Sequence, residues 1–148
     1  MSKLLQALLS GMFFTFILDF FLFLGIKLNY IDYYEIDLYY NILFADNQSA
    51  ILFFLFSLII GYITLYTNIK LALYSVGFLF VLSFSTLIAP IGKSVGTFLL
   101  AKEDVTLQTS RFSYHGDILY NGREKVTFFD KELNKIIILN KNKIKGKI

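Results

Sequence analysis

Apolar residues fill three long blocks of the chain, Leu4 to Ile26, Ala50 to Tyr66 and Leu71 to Ile91, with little polar interruption inside any of them. About 20 predominantly apolar residues cross the hydrocarbon core of a bilayer as a helix, so the pattern predicts three transmembrane helices. The second block is short, and its flanks Ser49 and Thr67 extend it to 49–67, with tilt or bilayer thinning absorbing the remaining mismatch. Between the second and third blocks stand only Thr67, Asn68, Ile69 and Lys70, which predicts a tight antiparallel hairpin of spans two and three. Pro90 is expected to end or kink the third span near residue 91, with Gly92 to Gly96 read as the loop that leaves the bilayer.

From Thr97 the pattern changes to short β-prone runs. Asp104 to Phe112, Asp117 to Asn121, Glu124 to Phe129 and Lys135 to Leu139 read as strands. Asn121-Gly122 suits a two-residue type I′ turn pairing Asp117 to Tyr120 with Arg123 to Phe129, and Asp130 to Asn134 supplies a second turn. So short a meander is marginal alone, which predicts a curled sheet or small barrel propped against the membrane or a partner. The fold class is therefore membrane α-helical with a small C-terminal β-meander or barrel-like domain. The domains are a transmembrane domain, 1–96, with spans at about 4–26, 49–67 and 71–91 and an acidic Tyr-rich loop at 28–48, then a basic β domain, 97–148, with a frayed Lys-rich end.

Composition strengthens the membrane assignment: of 148 residues 56% are hydrophobic and 17 are Phe. Lys3 precedes the first block, as in a signal peptide, but the block is longer than a signal's apolar region and no small-residue cleavage site follows, so it is expected to stay as an anchor. There is no cysteine, which removes disulfides and thiolate metal sites. The loop 28–48 sets Asp32, Glu35, Asp37 and Asp46 among Tyr30, Tyr33, Tyr34, Tyr39 and Tyr40, a composition suited to the membrane interface. Two spans returning as a hairpin put this acidic loop and the basic tail on one side of the membrane, where the tail can dock on the loop electrostatically. Lys27, Lys93, Lys102 and Arg111 on that side, against Lys3 and Lys70 on the other, favour a cytoplasmic tail in a multi-pass protein of the bacterial inner (cytoplasmic) membrane.

Candidate chemistry starts with Asp19, a charge inside the first span. An intramembrane acid is disfavoured by roughly 3 kcal/mol and usually faces protein or a wet cavity. Ala7, Gly11, Thr15 and Asp19 recur at intervals of four along one helix ridge, where small residues let another backbone approach. Ser57 and Gly61 in the second span, and Ser85 and Ala89 in the third, repeat the spacing. Counting depth from the span ends makes Ser57, Ser83, Ser85 and Thr86 candidate hydrogen-bond partners for Asp19. His115, the single histidine, reads as a turn residue before Gly116; its neighbours Ser110, Ser113 and Asp117 are no triad by sequence proximity alone.

No phosphate loop, dinucleotide fingerprint or zinc-protease motif is present, and no catalytic, metal or cofactor set emerges. Lys141, Lys143, Lys145 and Lys147 offer an anionic lipid contact. With a net charge of only +3 and no aromatic platforms interleaved with Arg, the tail gives little ground for nucleic-acid binding. The expected function is a non-enzymatic accessory, assembly or stabilising subunit of a larger integral membrane complex, chaperone-like, associating through helix packing and its β tail. The alternative is a proton- or ion-coupled subunit of a membrane motor or transporter using Asp19. Homo-oligomerisation is compatible with either.

Overall fold

The computed structural model describes residues 2–110 and 112–145, so Arg111 and Lys147 of the charge and lipid arguments lie outside the described residues. Helix α1 (Lys3–Ile26) is started by Ser2, whose hydroxyl accepts from the Leu5 amide, and continues into a π-helical turn, Lys27–Ile31. The 29 residues Lys3–Ile31 form the one helix, among the described residues, that is long and apolar enough by itself to cross a membrane. Helices α2 (Tyr40–Asn47) and α3 (Ala50–Tyr66) meet at 83°, and α4 (Ile69–Ser85) and α5 (Ala89–Leu100) at 91°; each pair meets the criterion for a span only when taken together. Side-chain caps set two of these starts, Ser49 accepting from the Leu52 amide and Asn68 from the Leu71 amide.

The third apolar block ends differently from expectation. The helix breaks at Thr86–Ile88, and Pro90 lies in the first turn of α5, where its missing N–H is no loss and its fixed φ favours helix. Gly92 and Gly96, read as loop, are buried on α5. Their spacing lets α5 lie across the end of α1: a Cβ on Gly96 would stand 2.5 Å from the Tyr30 side chain, and one on Gly92 would stand 2.1 Å from the Thr86 carbonyl oxygen.

Helix α3 returns along α1 with the two backbones nearly touching. A Cβ on Gly11 would come within 1.6 Å of the Ser57 carbonyl oxygen, and one on Gly61 within 1.7 Å of the Ala7 carbonyl oxygen. Helix α4 is held to α1 by hydroxyls at its far end, Ser83 Oγ donating to the Leu18 carbonyl at 2.5 Å and Thr86 Oγ1 to the Phe21 carbonyl at 3.2 Å. The rings of Phe21 and Phe84 stack beside them at 4.0 Å.

The tail is an antiparallel half-barrel of five strands, β1 (Lys102–Thr109), β2 (Ser113–Asn121), β3 (Lys125–Asp130), β4 (Lys135–Asn140) and β5 (Ile144–Lys145), in the order β4-β3-β2-β1-β5. The expected fraying after Leu139 is overturned as far as Lys145: a 3-10 turn, Lys141–Lys143, brings β5 back to pair Ile144 with Thr109 and Lys145 with Gln108. The β2–β3 hairpin is present, but Asn121 pairs with Val126, so the connection is longer than the expected two-residue turn and begins at Gly122. Asn134 (φ 47°) supplies the left-handed residue of the β3–β4 turn. His115 sits in β2, not a turn, with Nδ1 3.2 Å from Thr106 Oγ1.

The inward side chains Leu107, Ile118, Val126 and Phe128 form the half-barrel's own core. A second core joins tail to helices: Leu119 and Tyr120 of β2 pack with Phe23, Ile26, Ile31 and Leu43. An irregularity in register between Ile118 and Tyr120 lets two successive residues reach that core, as a β-bulge does. The helical segment thus runs to Leu100 and the sheet starts at Lys102, a few residues beyond the expected division at 96/97.

Candidate helix-docking cleft

Because α1 and α3 are sealed by glycine contacts while α4 is tied to α1 at its far end, a cleft of about 590 Å³ opens between α3 and α4. Its floor is α1, with Thr15, Leu18, Asp19 and Leu22; Phe53, Phe56 and Ile60 of α3 line one wall and Leu79, Leu82 and Ser83 of α4 the other. Ile91, Val95 and Leu99 of α5 border it, as do Asn47, Gln48 and Ser49 of the α2–α3 connection. The size is that of an ordinary ligand or side-chain-binding pocket, and the lining is largely apolar.

Two polar groups interrupt that lining on the floor. Asp19 Oδ2 accepts a hydrogen bond from Gln48 Nε2 at 2.7 Å, and Asp19 is half-buried. One turn earlier, Thr15 is 3% exposed and its hydroxyl has no partner. A helical threonine ordinarily bonds a carbonyl of its preceding turn, as Thr64 and Thr97 do here. The Thr15 hydroxyl is enclosed by this chain's own atoms, and rotation of its side chain would bring it to a carbonyl of the preceding turn.

The hydroxyls expected to bond Asp19 are used elsewhere. Ser57 donates to the Phe53 carbonyl, Ser85 to the Leu82 carbonyl, Ser83 to Leu18 and Thr86 to Phe21 and Ser83. Counting depth found the right level in the bundle but not the azimuth: α4 meets the carbonyls of Leu18 and Phe21, while Asp19 points to the α2–α3 connection. Of the small-residue ridges, Ala7, Gly11, Thr15, Ser57 and Gly61 are all buried at or near the α1–α3 seam, an intramolecular contact. Ser85 and Ala89 lie on opposite sides of the helix break, Ala89 exposed.

Sequence reasoning missed Gln48, whose signal is a long polar side chain just before the Ser49 cap. It also missed the π-helical turn, which carries Asn29 Nδ2 to the Thr86 carbonyl at 2.9 Å and Tyr30 Oη to the Leu119 carbonyl at 2.8 Å. Below the cleft, Arg123 of the β2–β3 connection grips the Asp46 carboxylate through Nε (3.0 and 2.9 Å) and Nη2 (2.5 Å), tying the tail to α2. Those hydrogen bonds hold the Asp46 carboxyl below its ordinary value. Lys131 bridges Asp104 and Asp117 and lowers the Asp104 carboxyl likewise, so Asp117 is engaged in the sheet rather than with His115. No group of His, Cys, Asp and Glu able to hold a metal ion occurs among the described residues. Comparison with known protein families, curated proteins and solved structures finds no match for this chain.

Proposed function

We propose that this chain is a multi-pass inner-membrane accessory protein that holds a transmembrane helix of a larger complex in the α3–α4 cleft and so helps that complex assemble or persist. The observation that supports the reading is the open, largely apolar cleft with the half-buried Asp19, bonded to Gln48, on its floor. A membrane helix with an amide or hydroxyl at the matching depth shares Asp19 with Gln48, while its apolar side chains fill the walls. Spanning by Lys3–Ile31, α3 and α4 is part of the proposal, with α2, α5 and the half-barrel on the cytoplasmic side, where Lys27, Lys93 and Lys102 border the spans. Titration of Asp19 in a proton path has less support, since its partner is a neutral amide and no second ionisable side chain lines the cleft.

A photo-crosslinking residue at Leu82 in the cleft wall, and another at the outward-facing Phe13, tests this in the protein's own membranes. A discrete adduct with another membrane protein is expected from position 82 and not from 13. Mild-detergent recovery of the same protein should fall with Asp19→Leu and survive Asp19→Asn. Recovery of the chain alone, or equal adducts from both positions, sinks the proposal.

A further inference from the structure

The half-barrel presents one face to the helices, and that face continues past them. Phe129 of β3 packs against the core shared with α1, and Thr127, two residues back on the same side of the strand, is buried. In the β3–β4 register Phe129 stands opposite Ile136 and Thr127 opposite Ile138, so those isoleucines extend the same face by one strand. Nothing described covers them: Ile136 is 38% exposed and Ile138 62%, whereas Ile137 and Leu139, on the other side of β4, pack into the half-barrel. Strand β4 ends the sheet, and the stretch from Lys135 to Lys145 carries four lysines and no acid.

We propose that the outer face of β4 rests on an anionic lipid surface, Ile136 and Ile138 entering the headgroup boundary while Lys141 and Lys143, in the turn that follows the strand, engage lipid phosphates. The inference rests on the membrane-spanning part of the reading above. A face continuous with the one seated on the membrane helices lies beside the bilayer, and apolar side chains with lysines at one end are what an interfacial contact requires. A second copy of the chain fits worse, because it brings the same lysines against these and like charges oppose docking. Lysines along an end strand also discourage strand addition at its open edge.

The chain has no Trp, so a single introduced indole reports its own surroundings. Full-length Ile138→Trp, in nanodiscs of phosphatidylcholine and phosphatidylglycerol built with a tryptophan-free scaffold protein, is expected to show blue-shifted emission, lost to lipids brominated near the headgroup and shielded from iodide. Phe13→Trp, on the outward face of α1, is the companion and is expected to be quenched by bromines deep in the acyl region. If Phe13→Trp is quenched and Ile138→Trp responds to iodide instead, the β4 contact is wrong while the spanning reading stands. If neither responds to bromolipid, the spanning reading fails and takes the contact with it. Shielding of Ile138→Trp from both quenchers places protein on β4 and overturns the proposal, as does equal quenching in discs of phosphatidylcholine alone.

Discussion

At the scale of single residues, chemistry and packing meet on one ridge of α1. Gly11 and Gly61 have no room for a side chain because backbone carbonyls of the opposing helix occupy the space, and backbone cannot swing aside as a side-chain tip can. Gly11→Ala is therefore expected to destabilise the helical part by about 2 kcal/mol or more, in the range of core overpacking. Gly77 on α4 has nothing within 4 Å of its added Cβ, so Gly77→Ala is expected to be neutral or stabilising by up to about 1 kcal/mol, the difference in helix propensity. Thermal melts of both variants in the same detergent check this; equal losses would show that α1 and α3 are not held by backbone contact. The Ala7–Gly11–Thr15–Asp19 spacing was legible because helical geometry repeats, but the partner of Asp19 was not. A hydrogen bond depends on azimuth and on a connection, Gln48, that no spacing rule places.

At the scale of elements, the breaks and junctions decide the shape. The π-helical turn offsets the chain after α1 so that Tyr30 reaches β2 and Asn29 reaches the α4–α5 break, two bonds formed far apart in sequence. Helix α2 is joined to the half-barrel by Asp46 and Arg123, whose contribution has a defined pH range. With the Asp46 carboxyl held below its ordinary value, the pair is fully formed above about pH 4 and lost as pH falls through that lowered value. The wild-type melting midpoint should thus exceed that of Asp46→Asn at neutral pH, and the gap should close on acidification. A gap that persists in strong acid would assign the contact to packing. Asp104, lowered by Lys131, shifts both proteins in the same direction and cancels in the comparison.

At the scale of the whole molecule, the half-barrel and the helices are not independent bodies. Leu119, Tyr120 and Phe129 lie outside the half-barrel's own core and are covered by Phe23, Ile26 and Ile31. The isolated segment 102–145 would expose that surface, and so small a sheet has little core in reserve. It is expected to give a poorly dispersed amide spectrum and bind hydrophobic dye; a well-dispersed, dye-free spectrum would show that the helices contribute nothing to its folding. The same interdependence fixes which face of β4 is left uncovered.

The sequence by itself determined the apolar blocks, the short α3–α4 connection, four of the five strands and the one charge set in apolar helix, because each follows from local periodicity, caps and turn residues. It expected Pro90 to end or kink the third span; the chain does bend by 91° there, but the break falls at Thr86–Ile88 and Pro90 starts the next helix, since a proline signals a helix start as readily as an end. Tertiary structure alone decided that Gly92 and Gly96 serve a helix seat on Asn29 and Tyr30, that the small-residue ridges close on each other, and that β5 pairs with β1. It also left Thr15 buried without a partner beside an open cleft, because burial and hydrogen-bond satisfaction depend on residues distant in sequence converging in space, which composition and spacing do not encode.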